Sequence, residues 1–246
     1  MPIFKYGDVE VYYEEAGDGE PLLVIPGGGL NATVAGLANH AFNPLETLSA
    51  QYRCIALDLR HAINGRSSGP LDVERPWDSL TDDQLALMDH FDVDTFSVLG
   101  FCIGGPLIWN LLRRAGERVK CAVLTHPSGF RSDRPSLFFD NNMSNWAPGY
   151  CAAHDDITMY MAEDFLTNMY RSNPDFVFTV SRGFVRQCDT PILVLPDDIG
   201  AHPYAVAMES ALLAPNSQVS IYPWKEDPAK VRIAHRHIEM FLSAHR

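Results

Sequence analysis

Apolar positions along this chain recur in two spacings, short strand-like blocks and longer helical stripes, and their alternation predicts its elements. Residues 9–13 and 22–25 read as strands, with Gly7-Asp8 a hairpin turn and Gly17-Asp18-Gly19 a loop. This opening predicts an antiparallel entry into a sheet. Asn43-Pro44-Leu45-Glu46 combines a capping residue, a proline in the first turn and a glutamate at the third position, the signature of a helix start. Residues 53–58 then form a buried strand ending in Asp58, and Thr81-Asp82-Asp83-Gln84 reads as a capping box ahead of Leu85, Leu87, Met88 and Phe91. Strands follow at 96–99, 121–125, 192–195 and 219–222, with helices at 106–112, 204–213 and 229–244. Such alternation predicts an α/β fold, a mostly parallel doubly wound sheet covered on both faces.

One stretch breaks the rhythm. Residues 131–186 carry Phe138, Phe139, Trp146, Tyr150, Tyr160, Phe165, Tyr170, Phe176, Phe178 and Phe184 together with four methionines. They read as an inserted helical lid, which leaves 1–130 and 187–246 as the core domain. Most of these aromatics are expected to form the lid's own small core. A few, with adaptable methionines, would face an apolar or aromatic substrate.

Composition narrows the partners. With 246 residues and 46% hydrophobic content the chain can bury a substantial core. Its net charge of -12, without a Lys/Arg run, argues against nucleic acid. No stretch approaches the roughly 18 to 20 apolar residues of a membrane span, and no apolar signal core precedes the first strand, so a cytoplasmic location is expected. The five cysteines, 54, 102, 121, 151 and 188, include no Cys-x-x-Cys pair, which speaks against a disulfide framework or a zinc knuckle. Cys54 and Cys121 fall in strands and read as core thiols. No metal or cofactor is implied, and oligomeric state is left open, with a homodimer admitted.

The chemistry concentrates at Gly100-Phe101-Cys102-Ile103-Gly104, between the strand at 96–99 and the helical run at 106–112. A turn this sharp strains the backbone of residue 102, which glycines at 100 and 104 make tolerable. The thiol would project into a pocket at a helix N-terminus, which favours thiolate. Gly105 is expected to allow close helix packing. The alternative is an inert buried cysteine.

The order of parts resembles the α/β-hydrolase family across essentially the whole chain. The residues that carry the likeness are Leu23-Val24-Ile25-Pro26-Gly27-Gly28-Gly29, Asp58-Leu59-Arg60, the elbow at 100–104 and Pro191-Ile192-Leu193-Val194-Leu195. The resemblance implies a nucleophile at Cys102 and an oxyanion hole built from the amides of Ile103 and Gly28. The plain reading of the three glycines is a tight turn. The family's histidine after the last strand is missing, because that segment reads Ile221-Tyr222-Pro223-Trp224-Lys225-Glu226-Asp227-Pro228. The loop after residue 195 offers Asp197, Asp198 and His202 instead, and His202 oriented by Asp198 is the base–acid pair expected here. Otherwise His202 only precedes Pro203 at a helix start. His126, at the end of the neighbouring strand, ranks below it. His235 and His237 read as helix residues away from the site, His61 as a solvent-facing loop residue, and Asp58 as a brace for its own loop. Asn31, Phe101, His126 and Trp146 are expected to line the substrate pocket, although Asn31 could simply cap a turn.

These readings favour a cofactor-independent hydrolase of a carboxylic ester, lactone or thioester acting through an acyl-Cys102 intermediate. A thiolate tolerates a displaced histidine better than a serine does. Likeness to cysteine-bearing members such as dienelactone hydrolases is confined to the elbow residue, so it admits lactones without selecting them. Two other classes remain: a lyase or cofactor-free oxygenase using the same pocket, and a non-catalytic small-molecule or partner-binding protein on a hydrolase scaffold.

Overall fold

Strand pairing follows the hydrophobic blocks closely. The structure is a computed structural model that describes residues 2–246. Its sheet comprises β1 (Ile3–Tyr6), β2 (Val9–Ala16), β3 (Glu20–Ile25), β4 (Tyr52–Leu57), β5 (Phe96–Phe101), β6 (Val119–Thr125), β7 (Ile192–Leu195) and β8 (Ser217–Val219). Their order is β1-β2-β4-β3-β5-β6-β7-β8. The β1–β2 and β2–β4 pairs are antiparallel and every later pair is parallel. Between β3 and β6, the central strand β5 is buried at all of its positions, as its continuous apolar run requires.

Helices cover both faces. The helices α1 (Pro44–Thr47), α2 (Pro76–His90), α3 (Gly104–Ala115), α4 (Leu137–Asn145), α5 (Ala147–Ala153), α6 (Met159–Tyr170), α7 (Arg182–Gln187), α8 (Tyr204–Leu213) and α9 (Pro228–Ala244) complete the chain. One apolar cluster joins the sheet to α2, α3 and the α4–α6 aromatics, and a second joins the opposite face to α9. Cys54 and Cys121 lie in the second cluster, where burial pushes their thiols up to about 12 and about 11.

Three local expectations need correction. The Thr81 capping box is not a helix start, since α2 begins at Pro76, whose fixed φ and missing N–H suit a first turn. Thr81 is buried in mid-helix, and its hydroxyl bonds back to the Trp77 carbonyl at 3.0 Å. β8 ends at Val219; Ser220 adds one bond to the Val194 carbonyl, and Pro223 has no amide to extend the ladder. His61 does not face solvent. It is fully buried, with Nδ1 2.8 Å from the Tyr150 hydroxyl of α5.

Asp58 does brace its surroundings, accepting from the amides of Val34 at 2.6 Å and Arg66 at 2.8 Å. Beside it the Arg60 guanidinium pairs with Asp83 of α2, both side chains buried, and also reaches the Ser79 carbonyl at 3.1 Å.

Candidate active site

Register brings the chemistry together at the carboxyl ends of three adjacent strands. Phe101 of β5 sits beside Thr125 of β6, and Thr125 beside Leu195 of β7. The next residues extend the pattern: Cys102 donates its amide to the Thr125 carbonyl at 3.1 Å, and His126 donates to that of Leu195 at 2.8 Å. Carboxyl-terminal strand ends are where parallel sheets form sites.

Cys102 has φ 54, a left-handed conformation that is strained for a residue with a side chain. The neighbouring glycines make it possible. A Cβ on Gly100 would lie 3.0 Å from the Gly104 Cα, and one on Gly105 would lie 2.4 Å from the Pro127 Cβ. The close approach at Gly105 is thus to the loop after β6 rather than to another helix. The Cys102 Sγ stands at the N-terminus of α3, 3.3 Å from the Ser128 Oγ, and the Gly28 amide faces it. Ser128 is held in place by its own amide, which donates to the Cys102 carbonyl at 2.9 Å.

His202 reaches the same sulfur. Burial pushes the Cys102 thiol up, but the hydrogen bond and charge of His202, the Ser128 hydroxyl and the Gly28 amide outweigh it and bring the thiol down to about 7. Burial works against the His202 imidazolium too, yet Cys102 and Asp197 hold its pKa above the ordinary histidine value. Each of the two groups therefore favours the charged form of the other.

The carboxylate bonded to His202 is Asp197, not Asp198. His202 Nδ1 lies 3.0 Å from Asp197 Oδ2. A tight return between Ile199 and His202, bonded in both directions at 3.3 and 3.0 Å, folds the loop back on itself between the two residues. Asp198 is exposed and lines a separate surface depression with Arg131 and Arg182. Lys225 also pairs with Asp197 and, with His202, keeps that carboxyl below its ordinary value against the effect of burial.

Trp224 occupies the segment where the resemblance expects a histidine. It is 1% exposed, its Nε1 donates to the Pro196 carbonyl at 2.9 Å, and its ring stacks on His126 with centroids 5.8 Å apart. His126 in turn lies 4.7 Å from the His202 ring, centroid to centroid, and burial keeps it neutral, well below the ordinary histidine value. His235 and His237 belong to α9, where His237 meets Gln218 at 3.0 Å and His235 lies 3.7 Å from Glu239.

A cavity of about 250 Å³ opens over the sulfur, walled by the first glycine loop, the start of α3 and side chains from α4, α6 and the segment before α7. Of the residues expected to line a pocket, Asn31 and Trp146 do, and Gly28 and Ile103, expected to supply oxyanion amides, also border it. Phe101 and His126 do not. Phe101 projects to the opposite face of the sheet and stacks on His40 at 4.4 Å, and His126 is packed behind His202 against Trp224. Ser128, Tyr170 and Asn142 are additions that sequence reasoning missed. For Ser128 a signal existed, a hydroxyl two residues beyond His126 in the loop after β6.

Residues 20–227 match the family model described as alpha/beta hydrolase fold. The chain belongs to the alpha/beta hydrolase fold family. Within this family it is 31% identical over 129 residues to "Putative carbamate hydrolase RutD" of Azorhizobium caulinodans, a match that covers 51% of this chain and 44% of that protein. It is 32% identical over 120 residues to "Putative non-heme chloroperoxidase" of Synechocystis sp., covering 48% and 41% of the two chains. The chain thus spans less than half the length of these curated relatives. The enol-lactonase of Burkholderia xenovorans superimposes with a TM-score of 0.68 at 18% identity, over 98% of this chain and 100% of that one. No helix among the described residues is long and apolar enough to cross a membrane.

Proposed function

We propose that this alpha/beta hydrolase is a cofactor-independent enzyme that hydrolyses a carboxylic ester, lactone or thioester through an acyl-Cys102 intermediate. The observation that carries the reading is the Cys102 thiol, lowered to about 7 at a strained elbow by contact with His202, which is itself bonded to Asp197. The names of a hydrolase and a lactonase among its relatives point the same way. In this reading the Cys102 thiolate attacks the substrate carbonyl, and the amides of Gly28 and Ile103 hold the oxyanion. Fixed donors of this kind lower the barrier by on the order of 3 kcal/mol each. The His202 imidazolium gives its proton to the departing alkoxide or thiolate, so alcohol or thiol leaves and a thioester remains on Cys102. Neutral His202 then takes a proton from water as the water attacks that thioester. Carboxylic acid is released, and the thiolate–imidazolium pair is restored. Residues 131–186 serve as the lid, since Phe138, Asn142, Trp146 and Tyr170 all come from them to wall the cavity.

Intact-mass analysis after mixing with aryl acetates and aryl thioacetates tests this. An acetyl adduct that maps to Cys102, forms and decays at the turnover rate and is lost in Cys102→Ala is the expected result. Turnover surviving in Cys102→Ala would overturn the mechanism. Labelling of Cys102 by iodoacetamide without any ester turnover would move the site to non-hydrolytic chemistry.

A further inference from the structure

Apart from the Cys102 sulfur at its floor, with His202 beside that sulfur, the cavity is polar without being charged. Among the described residues, no Lys, Arg, His, Asp or Glu side chain lines it. Its hydrogen-bonding side chains are amides and hydroxyls, and their existing partners fix which atoms remain available. Asn142 and Asn145 stand three apart on α4, hence on neighbouring positions of one helix face. Asn142 Nδ2 donates to the Phe138 carbonyl at 2.7 Å, and Asn145 Nδ2 donates to the Asn141 carbonyl at 2.9 Å. A carbonyl only accepts, so each amide nitrogen must face its partner, and each Oδ1 is left without a protein donor, whereas Asn31, across the cavity, accepts from the Ile63 amide at 3.1 Å through its Oδ1 and keeps its Nδ2 free. Tyr170 is 4% exposed and also lines the cavity. Its hydroxyl makes no hydrogen bond to the protein, and it lies near enough to Cys102 to feel the thiolate's charge.

Such groups are costly to bury against an apolar occupant, because each loses its water without gaining a partner. An occupant that brings donors recovers that cost. A carboxylate bound among these amide oxygens would be desolvated with no Lys or Arg in the lining to pair it, the His202 charge being already engaged by Cys102 and Asp197. An ammonium finds no carboxylate. The walls between these groups are flat rings, those of Trp146, Phe138 and Phe178 among them. A cavity of about 150 Å³ holds one benzene ring. The volume here, about 250 Å³, adds room for an acyl group and one polar substituent.

We infer that this cavity selects an uncharged, planar acyl group bearing a hydroxyl or N–H donor, read by the Oδ1 atoms of Asn142 and Asn145 and by the Tyr170 hydroxyl. This rests on the ester-hydrolase reading and deepens it by naming the substrate class.

Binding to Cys102→Ala separates the two claims, because the thiol takes no part in it. The probes are methyl benzoate, its 3- and 4-hydroxy and 4-methoxy derivatives, and the monoanion monomethyl terephthalate, measured by calorimetry at pH 7.5. One hydroxy ester is expected to bind about five- to tenfold more tightly than methyl benzoate, the value of one or two neutral hydrogen bonds. The methoxy ester, which only accepts, gains nothing, and the monoanion binds about tenfold more weakly or worse. Adding Asn142→Leu or Tyr170→Phe to Cys102→Ala brings the ratio between hydroxy and parent ester towards one, with circular dichroism confirming that each variant is folded. The inference is overturned if the monoanion binds as well as the parent, if the hydroxyl advantage survives both added substitutions, or if no ester binds. Selective binding with a wild-type protein that neither acylates nor turns over the hydroxy ester would remove the hydrolase reading and leave the cavity's chemistry standing.

Discussion

At the scale of single residues, the Cys102 thiol sits near 7 because three contacts outweigh its burial. The rate of alkylation by iodoacetamide should therefore rise with pH through about 7, well below the ~8.5 of a free cysteine. His202→Ala and Ser128→Ala each remove a contact that favours the thiolate, so both should move that midpoint upward, His202→Ala by more. If the midpoint of wild type lies at the free-cysteine value, the thiol is not activated. The acid–base partner offers a sharper comparison between neighbouring positions. Asp197→Asn removes the carboxylate that orients the His202 ring and favours its charged form, and it should reduce ester turnover by about two orders of magnitude or more. Asp198→Asn, on the exposed side of the same loop, should leave turnover within about twofold, as a surface substitution remote from the reacting atoms does. Equal effects at both positions would contradict the loop geometry. Sequence could narrow the acid to two adjacent aspartates but not choose between them, because the folded course of the loop decides which one meets the His202 ring.

At the scale of elements, His61 ties the loop after β4 to the helices over the cavity. Its Nδ1 meets the Tyr150 hydroxyl, its carbonyl accepts from Trp146 Nε1 at 2.9 Å, and its Nε2 is buried without a partner. Burial, aided by the charges of Arg60 and His154, lowers its pKa to about 3 against an unfolded value of 6.5. A group depressed on folding leaves the unfolded chain holding more protons between the two values. Its contribution to stability is thus complete above about pH 6.5 and is lost as pH falls towards 3. Urea unfolding across pH 7 to 4 should show a shallower pH dependence in His61→Phe than in wild type, even though the variant is less stable at pH 7 for want of the Tyr150 bond. Parallel pH profiles would show that another group, such as buried His126, dominates the acid response.

For the molecule as a whole, two apolar clusters hold helices to the two sheet faces, and one ion pair is enclosed at the edge of the first. Arg60 and Asp83 join the end of β4 to α2, with Tyr6 of β1 also bonded to the Asp83 carboxylate. Removing one partner of such a pair strands the other charge away from water. Asp83→Ala should cost about 3–5 kcal/mol in denaturant unfolding, whereas Asp83→Ala combined with Arg60→Met should recover a good part of it. A double variant no more stable than the single one would show that the guanidinium's bonds to the Ser79 and Pro70 carbonyls matter more than its charge.

By itself the sequence determined the strand and helix order, the elbow around Cys102 and the break at 131–186, because each is written locally, in hydrophobic period, in turn glycines and in spacing. It also placed Cys102 and His202, which the fold brings together, on the loops after two separate strands. What it did not determine depends on direction and on contacts between distant segments. Thr81 looked like a cap because Thr-x-x-Gln is a local pattern, yet Pro76 and packing against α3 carried the helix past it. His61 looked like a loop residue because its cover, Tyr150, lies 89 positions away in the chain. Phe101 and His126 flank the site in sequence, but the strand's alternation and the ring of Trp224 turn them behind it. Ser128, Asn142 and Tyr170 enter the site only because β6, α4 and α6 converge on one thiol, and that convergence is a property of the tertiary structure alone.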